Sequence, residues 1–237
     1  MPKQSFFNLP EDKRKLIFKL AIQEFSQHPY HLASISRIVR QARIAKGSFY
    51  QYFEDKKDLY RYLVESGLQE KRLLIEEMPI PATSSDIFGY LRWQLLLSVL
   101  FEWQNPRLSQ ILYRALIEEV PFPEMNEEFK GKGPIQYLKP LLQQGLLHGA
   151  VAPWVDLDLA AFLLEITFYQ FGKYLLRHIN ISDVPNRYKA ISENQEVQQL
   201  LNNMMEILEG GMKSDSSQRE TYSSSYRELN NSQNKKG

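Results

Sequence analysis

Four cations, Arg37, Arg40, Arg43 and Lys46, fall within residues 25–53, a stretch that holds no acid. The chain as a whole carries 29 basic and 28 acidic side chains for a net charge of +1, so this island is local. Residues 1–60 hold 11 basic and 6 acidic side chains, whereas residues 61–237 hold 18 and 22. Such an asymmetry predicts that the N-terminal piece meets an anion. Tyr50 and Tyr52, rigid rings with a hydroxyl donor, close the same stretch.

Other chemistries find less support. With no Cys, thiol nucleophiles, disulfides and cysteine-ligated metals are excluded. His148 and His178 lack a helix-spaced acid or His partner, and His28 with His31 falls in a loop, so no metal site is expected. No Ser/His/Asp order and no Gly-rich phosphate loop occurs; neither a catalytic residue nor a cofactor is expected, and the chain reads as a binding protein rather than an enzyme. The opening MPKQSFFNLPEDKRK has no apolar core of a secretory signal. Glu165 and Lys173 interrupt the apolar run 157–176, which argues against a membrane span, so a cytoplasmic protein is expected.

These residues must be positioned by helices, because apolar residues recur at spacings of three and four and strand-like alternation is never sustained. The fold class is all-α. The first helix starts near Pro10, with Leu16, Ile17, Leu20, Ala21 and Phe25 as its apolar face. Two short helices follow at 34–42 and 46–53, then a long one from Lys56 to about Glu77. Further helices are predicted at 84–104, 107–119, 135–148, 156–178 and 194–209, with a long loop at 121–134. The polar stretch 213–237 buries too little to order and is expected to be a disordered tail.

Two short helices joined by a turn, docked on a first helix and carrying excess positive charge, are the layout of a helix-turn-helix. The stretch SISRIVRQARIAKGSFYQYFEDKKDLY (34–60) resembles the DNA-binding signature of the TetR family of bacterial transcriptional repressors. Ile38, Ala42, Ile44, Gly47, Tyr50, Tyr52, Phe53, Lys56 and Leu59 occupy the matching positions. Three departures stand out. Arg43 replaces the usual turn Gly, at a cost of about 1 kcal/mol if a left-handed backbone is kept. Ala45 replaces the Ser or Thr cap of the recognition helix, and His28-Pro29-Tyr30-His31-Leu32 stands where a Gly and an aromatic are usual. The resemblance implies that Lys46 and Ser48 read base edges, that Gly47 lets the backbone approach, and that Tyr50 and Tyr52 lie on the sugar-phosphate chain. Lys56 is similar to the family's phosphate clamp, with Ser34, Ser36 and Arg37 as backbone contacts.

In the larger C-terminal part, the 157–176 helix is apolar nearly all round, and the last helix repeats Val197, Leu200, Leu201, Met204, Ile207 and Leu208 on one face. Two such helices from each of two copies imply a homodimer and hence a palindromic operator on double-stranded DNA. Tyr90, Trp93, Trp103 and Tyr113, with Glu102 and Glu165, are the candidates for lining a small-molecule site suited to a largely apolar effector, against ordinary core roles for each. The expected division is a DNA-binding domain at 1–55, a ligand-binding and dimerisation domain at 56–212 and the tail at 213–237. The leading reading is a ligand-responsive repressor; the alternatives are an all-helical small-molecule-binding enzyme and a helical adaptor without DNA binding.

Overall fold

The computed structural model describes residues 1–78, 80, 86–117, 134–178 and 194–213. Among them the regular structure is helical, and the one extended pairing is an isolated bridge between Val151 and Lys213. Of the loop expected at 121–134 and the tail expected at 213–237, residues 121–133 and 214–237 lie outside the described residues, whereas Pro134 begins a helix and Lys213 forms the bridge to Val151.

Chain order gives α1 (Gln4–Phe7), α2 (Glu11–Gln27), a 3-10 turn (Tyr30–Leu32), α3 (Ile35–Gln41), α4 (Lys46–Tyr52), α5 (Lys56–Glu77), α6 (Ile87–Gln104), α7 (Pro106–Ile117), α8 (Pro134–Leu147), α9 (Leu157–His178) and α10 (Gln195–Met212). The predicted helices are all present, with ends shifted by a few residues. Helix α1 was not expected: QSFF is a single turn, too short to show a period.

Contacts divide the chain into two compact units. One comprises the described residues of 1–79 and 97–133, the other those of 80–96 and 134–237. In the first unit α2 buries Ile17, Ala21 and Phe25 against α3, α5 and α7, and the core closes on Phe49, Phe53, Leu59 and Leu63. Leu16, expected on the buried face, is 43% exposed; the face runs 17, 21, 24, 25, so a carboxylate, Glu24, takes a core position instead. Helices α5 and α7 approach closely at Gly67, where an added Cβ would stand 3.1–3.3 Å from the Leu112 side chain.

In the second unit α8 and α9 pack together, burying Leu138, Leu142, Ala160, Ala161, Leu164 and Phe168. Helix α8 stops at a left-handed Gly149 (φ 74°), and the Ala150 and Val151 amides turn back to the Gly145 carbonyl. The Ala152 N–H donates to the Met212 carbonyl at 2.8 Å, tying the end of α10 to this turn. On α10 the buried residues are Val197, Leu201, Met205 and Met212, whereas Leu200, Met204 and Leu208 are half-buried and Ile207 is 69% exposed. The single stripe expected on this helix is therefore two. A spacing of four carries Val197 inward through 201 and 205, and the residues one position earlier form a separate ridge.

Candidate nucleic-acid interface

Helices α3 and α4 are joined by the turn Ala42–Ala45. The Arg43 N–H donates to the Arg40 carbonyl and the Ile44 N–H to the Val39 carbonyl, the paired bonds of a helix stop that needs a left-handed residue. Arg43 supplies it at φ 52°, the one positive-φ non-glycine residue among those described. Helix α4 then starts from Ala45, which makes no side-chain cap bond, so the loss anticipated at that position is present.

The outcome is an exposed basic surface. Ser36, Arg40, Arg43, Lys46, Gly47 and Tyr50 are exposed and Ser48 is half-buried. Arg40, Arg43 and Lys46 have no ion-pair partner among the described residues, and a Cβ at Gly47 would meet nothing within 4 Å. Nothing among the described residues requires glycine there.

Four of the expected site residues are placed differently. Ser34 is the N-cap of α3, its hydroxyl accepting the Arg37 N–H. Tyr52 is buried, its ring packed against Phe6. Arg37 turns towards Glu24: its Nε donates to both carboxylate oxygens at 2.9 and 3.0 Å, and its Nη2 donates to Glu24 and, at 2.8 Å, to the Leu32 carbonyl. Lys56 reaches into the 28–33 loop, where its Nζ donates to the carbonyls of Tyr30 (2.9 Å), His31 (3.4 Å) and Ala33 (3.2 Å) and lies 4.6 Å from the Tyr30 ring centroid. An ammonium has three donors, and all three are engaged. Lys56, expected as a phosphate clamp, thus clamps the 28–33 loop of its own chain in this structure.

Glu24 organises this support, and the sequence reading passed over it. Its carboxylate also accepts the Ser34 N–H at 2.8 Å, which fixes the entry to α3. Burial on its own pushes the Glu24 carboxyl up, but the hydrogen bonds from Arg37 and Ser34 and the Arg37 charge outweigh it and hold it below the usual value. The same pairing raises Arg37 further. Burial pushes Lys56 down, opposed by the Glu24 charge, and pushes the Tyr30 hydroxyl up to about 12. The unusual loop is therefore held by Lys56 through three of its carbonyls and by Arg37 through a fourth, that of Leu32. An acid on an otherwise apolar face of α2, thirteen residues before an Arg at a helix start, was the available signal.

The candidates for a small-molecule site fall into both units. Glu102, Trp103 and Tyr113 belong to the first, where Glu102 and Trp103 are buried and the Ser109 hydroxyl donates to the Glu102 carboxylate. Tyr90, Trp93 and Glu165 belong to the second, with the Tyr90 and Trp93 rings 5.4 Å apart. A half-open cavity of about 490 Å³ in the second unit is lined by Asp86, Ile87, Tyr90, Leu141, Gln144, Gly145, His148 and Ala150, so of the six candidates Tyr90 reaches it. Among the described residues no group of three His, Asp or Glu is placed to hold a metal, and no helix is long and apolar enough to cross a membrane.

Residues 17–63 match the family model described as bacterial regulatory proteins, tetR family, and residues 85–213 match that of the tetracyclin repressor-like C-terminal domain. The crystal structure of a TetR family transcriptional regulator from Chloroflexus aurantiacus J-10-FL superposes with a TM-score of 0.78 at 40% identity, covering 91% of this chain and 100% of that one. The probable acrEF/envCD operon repressor of Escherichia coli K12 is 26% identical over 191 residues, 76% of this chain and 84% of the relative. The fatty acid metabolism regulator protein of Bacillus subtilis 168 is 22% identical over 207 residues, 83% and 93% respectively.

Proposed function

The chain belongs to the TetR family of bacterial regulatory proteins and is a ligand-responsive, DNA-binding transcriptional regulator; from that premise we propose that it is a homodimeric repressor that reads a palindromic operator in the cytoplasm. Exposure of Arg40, Arg43 and Lys46 around a glycine that nothing among the described residues demands is the observation that carries the reading. Lys46 and Ser48, at the start of α4, meet base edges in the major groove; Gly47 allows close approach; Tyr50, Ser36, Arg40 and Arg43 contact the backbone. Arg37, Ser34, Tyr52 and Lys56 hold α3, α4 and the 28–33 loop in place instead of meeting phosphates themselves.

The DNA-reading function resides in residues 1–55 and the ligand-binding and dimerisation functions in residues 56–212. Two copies meet through α9 and α10, where Leu159, Phe162, Leu163, Ile166 and Ile207 are exposed. A small, largely apolar effector releases the operator by binding more tightly to the conformation that fits DNA less well. The name of the fatty acid metabolism relative points to the same class of effector. The chain acts by binding, with no catalytic step.

Selection from randomised operators tests the reading. Lys46→Ala is expected to relax the preference at one symmetric pair of positions, with about 1–3 kcal/mol of discrimination lost. Tyr50→Phe removes a hydroxyl donor and lowers affinity by about 0.5–1.5 kcal/mol with the preference intact. A wild-type protein without salt-dependent DNA affinity would favour the adaptor instead.

A further inference from the structure

Helix α4 has seven residues, and its last four carbonyls have no partner within the helix. Phe53 serves one of them, its N–H donating to the Phe49 carbonyl at 2.9 Å. The other three are all served by the first residues of the chain. The Lys3 Nζ donates to the Tyr50 carbonyl at 2.9 Å, the Ser5 hydroxyl donates to the Gln51 carbonyl, and the Lys3 N–H donates to the Tyr52 carbonyl at 2.8 Å. The Lys3 ammonium also sits at the negative end of the α4 dipole, where a cation is favoured.

Packing holds this arm in place. Phe6 is fully buried, with its ring 4.8 Å from Phe53 and 5.7 Å from Tyr62, and Pro2 is buried beside the exposed Lys3. The start of α4, by contrast, carries no side-chain cap. With Phe49 buried in the core and no cap at its start, this short helix has its end fixed by the first residues of the chain.

We propose that residues 2–6 are a positioning arm that sets the orientation of α4 and thereby the affinity and base preference of operator binding. The proposal rests on the DNA-reading function above. Lys3 acts through the Tyr50 carbonyl and not through a phosphate, although it is a cation on the DNA-binding unit.

The test compares full-length wild type with Lys3→Ala/Ser5→Ala, Phe6→Ala and Lys3→Arg, all well below their melting midpoints. The probe is genomic DNA retained by the wild type. The double variant is expected to bind about tenfold more weakly, to lose definition at the positions α4 reads, and to exchange the 46–52 amides faster, with Lys3→Arg largely restored. The slope of log affinity against log salt stays unchanged, because no phosphate contact is removed. A slope shallower by about 0.9 per copy would make Lys3 a phosphate contact and overturn the proposal. So would unchanged affinity and preference in both the double variant and Phe6→Ala. If the wild type itself shows no DNA affinity, the DNA reading fails, and the exchange rates decide the arm: unaltered α4 exchange in the double variant overturns it.

Discussion

Two surfaces of this molecule are left without a partner among the described residues, and they are opposite in kind. The α3–α4 face presents Arg40, Arg43 and Lys46 with no acid among them, whereas the outer side of α9 presents Leu159, Phe162, Leu163 and Ile166 at 56, 49, 50 and 38% exposure. A cationic face is at home in water and can be vacated and reoccupied, since what it gains from an anion depends on salt. An apolar face gains about 25 cal/mol for every Å² removed from water, which favours lasting cover. The proposed reversible binding and the proposed lasting assembly would thus have separate chemical signatures here.

Breaking the apolar face is expected to have the largest effect. Phe162→Glu with Leu163→Glu would put two charges on each side of a contact that must exclude water, at a cost of several kcal/mol. Sedimentation should show a folded monomer. Operator affinity should fall by a hundredfold or more, because the second half-site is no longer bound in the same encounter. A double variant that stays dimeric would move the assembly to some other surface. The same substitution pattern on Val197 and Leu201 should unfold the second unit instead, since both are fully buried.

That last distinction marks where the sequence ceased to be legible. The helical period showed that α10 is amphipathic, yet it could not say which of two adjacent stripes faces inward, because Val197, Leu200, Leu201 and Met204 are apolar alike. The α3–α4 turn was readable down to the departures at Arg43 and Ala45, since steric rules for a left-handed residue and for a cap act within a few positions. The intrachain partners of Lys56 and Arg37 were illegible for a different reason. The distant ones, the Tyr30, His31 and Ala33 carbonyls for Lys56 and the Glu24 carboxylate for Arg37, are 13 to 26 residues away and join them only when α2, α3 and α5 pack. The arm at residues 2–6 is more distant still, reaching across 46 to 49 positions to α4. Its one sequence trace is the Phe6-Phe7 pair in an otherwise polar start.

Two glycines sharpen the comparison between surface and interior. A Cβ on Gly145 would stand 2.7 Å from Ile87 Cδ1 and 2.8 Å from Val151 Cγ2, whereas one on Gly47 meets nothing. Gly145→Ala should cost about 1–3 kcal/mol in overpacking, only partly offset by about 1 kcal/mol of helix propensity. Gly47→Ala should gain that propensity in the free protein and still weaken operator binding. Thermal melts paired with DNA titrations check both. Equal DNA affinity for Gly47→Ala and wild type would show that the backbone at residue 47 does not approach the duplex.

The support beneath the basic face should show itself through pH. Glu24 has its folded-state carboxyl held below the usual value, so its contribution to stability is fully present above the ordinary carboxylate range and is lost as pH falls through the lowered value. The urea midpoint is expected to be level from pH 8 to 6 and to decline below about 4.5. Glu24→Gln should be less stable at neutral pH and should show a shallower decline, because the residue that titrates is gone. Equal declines in the two proteins would remove Glu24 from the linkage.

The smallest expected effect separates stability from binding at a single residue. Both units stop a helix with a left-handed backbone, one at Gly149 with φ 74° and the other at Arg43 with φ 52°. Glycine adopts that region freely, whereas a side chain costs about 1 kcal/mol. Arg43→Gly should therefore relieve the turn, but glycine also has more freedom to lose on folding, so the net gain is expected to be below about 1 kcal/mol. The same substitution takes a cation from the exposed face. If Arg43 meets a phosphate, the slope of log affinity against log salt should become shallower by about 0.9 for each copy bound, while the melting temperature holds or rises. Stability and affinity would then move in opposite directions, as expected where a binding residue occupies a strained position. A variant that gained stability and kept the full salt slope would leave Arg43 with no role on the duplex and narrow the cationic face to Arg40 and Lys46.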